Sequence, residues 1–402
     1  MVVYKYVGRK KTGAPIKGTI NAANKNMAIA KLRDNGINPR EITESKSILH
    51  SELSLGGNSV KNQDFVIYCR QFATLIRAGV TIVDATNILA RQTTSKPLKA
   101  ALDLVEDDLR SGIAFSESTA KQPKIFPSLF TNMMRSGEAT GNIDETLERL
   151  ANTFEKQYNL KKKIQSTLTY PAVLLVITII VVFFLLIFIV PTFVQTFEEM
   201  DAELPVITVF TLALSNWLQK LWWLVIGIVI IGVIVVRMLY KNNKNFRYTV
   251  HYALLRAPVF GQLFQKSVIA RLMRTLSSLF SSAVPILQAL TIAEKVVGNP
   301  VIGRVVLEAR ASLEKGSTLT EPLEKSWLFP PLVTSMTSIG ESTGSLDYML
   351  EKIADFYESE VDRAVDTLKS LIEPMMILFL AVIVGFIVAA IMMPMFSLYE
   401  QI

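Results

Sequence analysis

The chain has 402 residues, half of them apolar, and a formal net charge of +7. That length leaves room for two or three domains, and the clustering of apolar residues into long runs marks an integral membrane protein. A single cysteine, Cys69, excludes an internal disulfide and a thiolate metal cage, and two distant histidines, His50 and His251, argue against a histidine-based metal or catalytic centre. The positive charge is better read as the cytoplasmic bias of a membrane protein than as a nucleic-acid footprint.

The opening residues MVVYKYVGRKKTG are polar and charged. No cleavable signal peptide is expected there, and the N-terminus is predicted to stay in the cytoplasm. Residues 1–43 read as a small α/β module. Short strands are expected at Val2–Val7 and Lys17–Ile20, with a turn around Gly13 to Pro15. A helix is expected over Asn24–Asn35, stopped by Gly36, then a further strand at Ile37–Ile42. The Ser- and Gly-rich stretch 44–60 reads as a linker.

From there the chain says nearly the same thing twice. RQFATLIRAGVTIVDATNILA (70–90) lines up with RTLSSLFSSAVPILQALTIAE (274–294), and SGEATGNIDETLERLANTFE (136–155) with IGESTGSLDYMLEKIADFYE (339–358). Residues 61–168 and 264–370 are predicted to form two homologous cytoplasmic helical bundles, because apolar residues recur at three and four: Phe65, Tyr68, Phe72, Leu75 and Ile76 in one, Leu272, Leu276, Leu279 and Phe280 in the other. The breakers correspond too: Gly79 with Ala283, Gly112 with Gly316, Phe126-Pro127 with Phe329-Pro330.

Three segments are long and apolar enough to span a bilayer: 171–194, 217–239 and 374–397. Lys161, Lys162 and Lys163 precede the first, Arg237 and Lys241 flank the end of the second, and the loop 195–216 between them carries Glu198, Glu199, Asp201 and Glu203 but no Lys or Arg. That acidic loop is therefore expected outside, both repeat blocks inside, and the C-terminus outside. The fold class expected is a mainly α membrane protein with three transmembrane helices and a small N-terminal α/β module. The parallel repeat suggests a pseudo-two-fold axis along the membrane normal.

The sharpest local motif is Gly137-Glu138-Ala139-Thr140-Gly141 and its twin Gly340-Glu341-Ser342-Thr343-Gly344. Structurally, the glycines would end one helix and Asn142 or Ser345 would cap the next. Functionally, Glu138 and Glu341 are candidates for a partner contact or a pair between the blocks. Pro171 and Pro374 open the first and third spans, where the first turn of a helix tolerates a missing N–H, and Pro191 and Pro394 lie near the far interface. Lys161–Lys163 read as a topology anchor rather than a lipid-specific site. No Gly is followed by Lys, so there is no Walker A loop, and HExxH is absent. No acid, base or histidine lies deep in a span, which disfavours an ion-coupled transporter. No catalytic, cofactor-binding or metal-binding residue is assigned.

The duplicated block, the paired G-E-[AS]-T-G-[NS]-[IL] motif, the Tyr170-Pro171 and Glu373-Pro374 starts of two spans and the three-span layout together resemble the inner-membrane platform proteins of type IV pilus assembly and type II secretion. The resemblance covers essentially the full length. Tyr4-Lys5-Tyr6-Val7-Gly8, Lys17-Gly18-Thr19-Ile20, Ala30-Lys31-Leu32 and Gly36-Ile37-Asn38-Pro39 look like the opening of the pilus branch.

It implies a six-helix cytoplasmic domain in each repeat, residence in the bacterial cytoplasmic membrane as a dimer or higher oligomer, and no active site or cofactor. It also implies contact with a hexameric assembly ATPase, with inner-membrane alignment proteins and with pilin subunits fed into a filament, and none with nucleic acid. One departure is Ala78-Gly79-Val80 against Ser282-Ala283-Val284-Pro285, so the two copies are not interchangeable. The reading is a non-enzymatic pilus platform. The alternatives are a type II secretion platform and, from another class, a permease subunit driven by a separate ATPase.

Overall fold

A computed structural model describes residues 2–10, 15–22, 25–34, 36–44, 60–193, 205–258 and 260–401. They fall into two units, Met1–Asn58 and Ser59–Ile402. In the first, β1 (Val2–Lys10) pairs antiparallel with both β2 (Pro15–Ala22) and β3 (Ile37–Glu44), in the order β2-β1-β3, and α1 (Lys25–Asp34) covers the sheet. Tyr4 and Ala28 are buried, with Ile42 packed against them. The strands run a few residues beyond their apolar cores because the backbone ladder continues through Gly8 and Arg9, opposite Ile16 and Pro15. The expected turn around Gly13 and the linker over 45–59 lie outside the described residues.

The second unit repeats one six-helix pattern. The first copy is α2 (Asn62–Arg77), α3 (Ile82–Gln92), α4 (Lys96–Arg110), α5 (Phe115–Ala120), α6 (Ser128–Thr140) and α7 (Ile143–Phe184). After α8 (Val206–Asn242) and α9 (Lys244–Arg256) comes the second: α10 (Phe260–Ser281), α11 (Ile286–Val297), α12 (Pro300–Glu314), α13 (Thr320–Glu324), α14 (Pro331–Thr343) and α15 (Leu346–Gln401). Local chemistry sets several starts. Thr81 accepts from Asp84 N at 3.1 Å, and Asn299 accepts from Val301 N at 2.9 Å.

The copies fill equivalent cores differently. Tyr68, Phe72, Phe115 and Phe130 build an aromatic cluster in the first, where the second has Leu272, Leu276, Leu319 and Val333. Helix α9, which periodicity over Tyr248, Tyr252 and Leu255 could have flagged, packs on the second core and stacks Arg256 4.8 Å over the Tyr252 ring.

Two expectations need correction. Pro171 and Pro374 are not in first turns: each sits inside a helix that runs unbroken from its bundle into its apolar span. Replacing one N–H costs a single helical bond, and the continuous apolar and amphipathic register on both sides outweighs it. Likewise 206–216 is not loop: α8 starts after Pro205, whose φ of −58° is ready for a helix start. Residues 194–204, the acidic part of that loop, lie outside the described residues.

By length and apolar composition, Ile143–Phe193 and Leu346–Met393 are able to cross a membrane. The arms 206–224 and 227–242 of α8, bent by 48°, make a third candidate if they count as one span.

Candidate functional site

The twin glycine motif closes α6 and α14. Gly141 and Gly344 end those helices at φ 77° and 69°, a left-handed conformation that L side chains resist. Gly137 and Gly340 serve a different need, close approach. A Cβ on Gly137 would lie 2.6 Å from Thr146 Oγ1, and one on Gly340 would lie 3.0 Å from Leu346 Cα. Each pair of glycines therefore lets α6 and α14 fold back tightly onto α7 and α15.

The glutamates between them stay within their own bundles. Glu138 accepts from Ser116 N at 3.2 Å, while Glu341 accepts from Leu319 N at 2.7 Å and Thr320 Oγ1 at 2.9 Å. Each carboxylate thus caps the exposed amides at the start of the short helix α5 or α13. Asn142 occupies the N-cap of α7 but its side chain makes no capping bond. The second motif also spells G-x-S-x-G, the lettering of a hydrolase nucleophile elbow. That elbow needs a strand-to-helix turn, whereas Ser342 lies in the last turn of α14 and donates to Ile339 O at 3.0 Å.

The more informative cluster is one that motif reading passed over. Arg70 donates from Nε to Glu155 at 2.7 Å, from Nη1 to Glu148 at 2.8 Å and from Nη2 to Asn152 at 2.5 Å. In the second copy Arg274 clasps Glu358 at 2.9 Å, bonds Asp355, and faces Glu351 at 3.9 Å. The signal was available: Arg70 and Arg274 head the aligned repeat, and Glu148, Glu155, Glu351 and Glu358 recur in its tail. The bond to Glu155 raises the Arg70 pKa above its ordinary value and lowers that of Glu155. Burial opposes ionisation of Asp355, but its bonds to Lys156 and Arg274 win and hold its carboxyl below the usual range.

Lys156 crosses from the first repeat to share that acidic pair, 2.8 Å from Asp355 and 3.2 Å from Glu358. Lys163 reaches Asp362 at 2.8 Å. The two contacts advance in step along α7 and α15, so these helices run parallel, with Leu160 and Ile164 packed against Val361, Val365 and Leu368. Above this stripe Thr153 Oγ1 meets Ser278 Oγ at 2.8 Å, Ser136 donates to Ser282 O, and Gln288 donates to Asn132 at 2.8 Å. Leu279, Val284, Ala289 and Ile292 complete the first repeat's core from the second.

The seam thus joins α6 and α7 to α10, α11 and α15. A pseudo-two-fold axis would require the reciprocal contacts as well, yet Ile339, Phe356 and Ile67 at the reciprocal positions are exposed. The repeats are packed head to tail, correcting the two-fold expectation.

Beside the seam lies a cleft of about 450 Å³ lined by Lys124, Lys161, Arg271 and Lys295 and, among the described residues, by no carboxylate. Among the described residues Arg271 bonds Val297 O, at 3.5 Å, and its burial lowers its pKa. Lys162 lies 5.9 Å over the Tyr158 ring. The structure therefore gives the lysine triplet three different surroundings. Arg237 and Lys241 lie exposed near the end of α8, and Lys241 is in its last turn, where a cation complements the helix dipole.

The far prolines share a second device. Pro191 follows a π-helical turn, Leu185–Ile189, and has no N–H to offer the carbonyls behind it. Ser215 donates to Leu186 O and Gln219 to Ile187 O at 3.3 Å. At the equivalent place before Pro394, Thr208 donates to Ala390 O at 2.7 Å. Thr208, Ser215 and Gln219 come at helical spacing along α8, so one stripe of the unpaired helix serves both proline-opened helices.

The sequence pattern of the family described as type II secretion system (T2SS), protein F matches residues 68–191 and again 272–394. That of its N-terminal domain matches 1–43. The chain is 40% identical to a type IV pilus assembly protein PilC from Thermus thermophilus, over 99% of this chain and 98% of the relative. It is 36% identical to one from Pseudomonas aeruginosa over 92% and 98%. A type II secretion system protein F from Pseudomonas aeruginosa is 30% identical over the full length of both. Duplicated six-helix bundles, each feeding an apolar helix, and matches that fall on both copies have one reading: the chain belongs to the type II secretion system protein F family, and its relatives place it with the pilus assembly members.

Proposed function

We propose that this chain is the non-enzymatic inner-membrane platform of a type IV pilus machine, coupling a cytoplasmic assembly ATPase to insertion of pilin subunits into the filament. The observation that carries the reading is mechanical. In each repeat the last bundle helix continues without a break into the apolar span, through Pro171 in one and Pro374 in the other. A push or turn delivered to a bundle therefore moves its span as one rod, and the parallel α7 and α15 are tied by the Lys156 and Lys163 ion pairs so that the two rods move together.

In this reading all of α8 returns the chain across the membrane. Three spans then cross it, with the N-terminus and both bundles cytoplasmic and the C-terminus external. Lys161, Arg237 and Lys241 hold that orientation. The ATPase docks on the bundles, while alignment proteins and pilins meet the spans.

Deletion is expected to abolish surface filaments while pilin is still made and stable. Affinity purification in mild detergent is expected to recover an assembly ATPase. Normal piliation of the deletion strain would refute the reading. A second reading, a type II secretion platform, draws on the 30% identity to protein F relatives. It predicts instead intact filaments and a block in export of folded enzymes.

A further inference from the structure

The seam inside the chain shows what each repeat can bind, and half of each binding pair is left unused. The first repeat offers Ser136 and Thr153 to Ser282 and Ser278 of the second. Through the repeat, Ser136 corresponds to Ile339 and Thr153 to Phe356 at one end. Ser278 corresponds to Thr74, Ser282 to Ala78 and Arg271 to Ile67 at the other. Among the described residues of the second unit nothing covers these counterparts: Ile339 is 49% exposed, Phe356 42% and Ile67 47%, and Gln71, Thr74 and Ala78 are exposed too.

The free ends are also more apolar than the occupied ones. Two hydroxyl-bearing residues of the seam, Ser136 and Thr153, are replaced by Ile339 and Phe356. Large apolar side chains held at the positions where the other copy makes its contact are what an interface between separate molecules needs. The remaining surface is open to solvent as well. On α15, Ser359, Arg363 and Asp366, counterparts of Lys156, Leu160 and Lys163, are exposed. On α7, Asn152 and Asn159, counterparts of Asp355 and Asp362, are exposed.

We infer that a second copy of this chain docks head to tail. The α14–α15 face of one molecule, with Ile339 and Phe356, seats on the α2 face of the next, with Ile67, Thr74 and Ala78, repeating the seam already made within each chain. Such a contact is heterologous, so the same step can be taken again, and it closes a ring or continues as an array. The lack of ion pairs among these counterparts makes the contact weaker than the internal seam and suits an assembly that forms in the membrane, where every copy shares one orientation. The inference uses only the repeat and the seam. A chain that assembled this way yet proved dispensable for filaments would overturn the platform reading alone.

The test is cysteine crosslinking of the full-length protein in membranes, in a Cys69→Ala background. Thr153→Cys with Ser278→Cys, the internal pair, serves as the control and is expected to close within one chain. Thr74→Cys with Phe356→Cys is expected to give a ladder of dimers and higher species. Neither single variant is expected to crosslink. Two tagged chains, one carrying Thr74→Cys and the other Phe356→Cys, are expected to give a heterodimer and nothing larger. Adding Ile339→Glu to the double variant is expected to reduce the ladder at least tenfold. Closure of the control without any product from the 74/356 pair would overturn the inference. So would a homodimer from Phe356→Cys alone, which reports a two-fold contact instead.

Discussion

Gln219 Nε2 donates to the carbonyl of Ile187 at 3.3 Å, and Ile187 is the residue whose carbonyl Pro191, four positions on, cannot serve. A proline in an apolar helix leaves such an oxygen exposed to a medium with no water, so a partner from a neighbouring helix must be supplied. Gln219→Leu is expected to cost about 1 kcal/mol through the unpaired carbonyl. Pro191→Ala restores the N–H and is expected to remove most of that penalty. Thermal unfolding of the four combinations in detergent checks this. Additive losses would show that the two residues are not coupled.

The two arginine clasps differ in burial, so their loss is expected to differ in cost. The Arg274 side chain is 8% exposed and that of Arg70 is 32% exposed. Arg274→Met leaves Asp355 and Glu358 repelling each other with only Lys156 between them, and is expected to cost about 3 kcal/mol. Arg70→Met is expected to cost about 1 kcal/mol because water reaches Arg70 itself and screens its pairs. Denaturant unfolding of both variants, read by tryptophan and far-ultraviolet signals, ranks them. Equal losses would contradict the burial argument.

The clasps also set an acid limit. Glu155 and Asp355 titrate below their ordinary values in the folded chain. Groups with depressed folded pKa values stabilise fully above the unfolded value and lose that contribution as pH falls through the folded one. Stability is therefore expected to be flat near neutrality and to fall below about pH 5, where the unfolded carboxylates begin to bind protons. In Arg274→Met the acid-side slope should shrink. A slope unchanged from the parent would detach Asp355 from the effect.

Both inner glycines are predicted to resist a methyl group. At Gly137 it meets Thr146 Oγ1 at 2.6 Å and Thr146 Cβ at 2.9 Å, whereas at Gly340 it meets Leu346 Cα and Met349 Cβ at 3.0 Å. The Thr146 hydroxyl can turn aside, but its Cβ and the Leu346 Cα move only with the backbone. Gly340→Ala is expected to cost about 2 kcal/mol. Gly137→Ala should cost at least as much and be rescued only in part by Thr146→Ala, which keeps the Cβ. Melting temperatures of these variants decide it.

Ala283, at φ 55°, holds the left-handed position that Gly79 holds in the first repeat at φ 86°. Ala283→Gly is expected to stabilise by up to about 1 kcal/mol, since relief of a Cβ clash outweighs the added freedom of the unfolded chain. A drop in melting temperature would count against strain at this turn.

Much of this molecule was written locally. The duplication, the helical periodicity from Phe65 to Ile76, the strand–helix–strand order of the first 43 residues and the apolar runs after Pro171 and Pro374 are readable because each depends on neighbours within a few residues. Turn chemistry at Gly141 and Gly344 is equally local. What the sequence left open were pairings between distant segments. Glu138 could have faced a partner, but the fold turns it to Ser116. Pro191 could have been a hinge or an end, but α8 brings Ser215 and Gln219 to its freed carbonyls. The repeat alone was compatible with a two-fold arrangement, and only packing chose head to tail, burying Ser278 against Thr153 while leaving Phe356 open. Propensity and periodicity act along the chain, whereas the satisfaction of buried polar groups and the choice between two equally apolar faces depend on which surfaces meet. That choice is made only when the whole chain is packed.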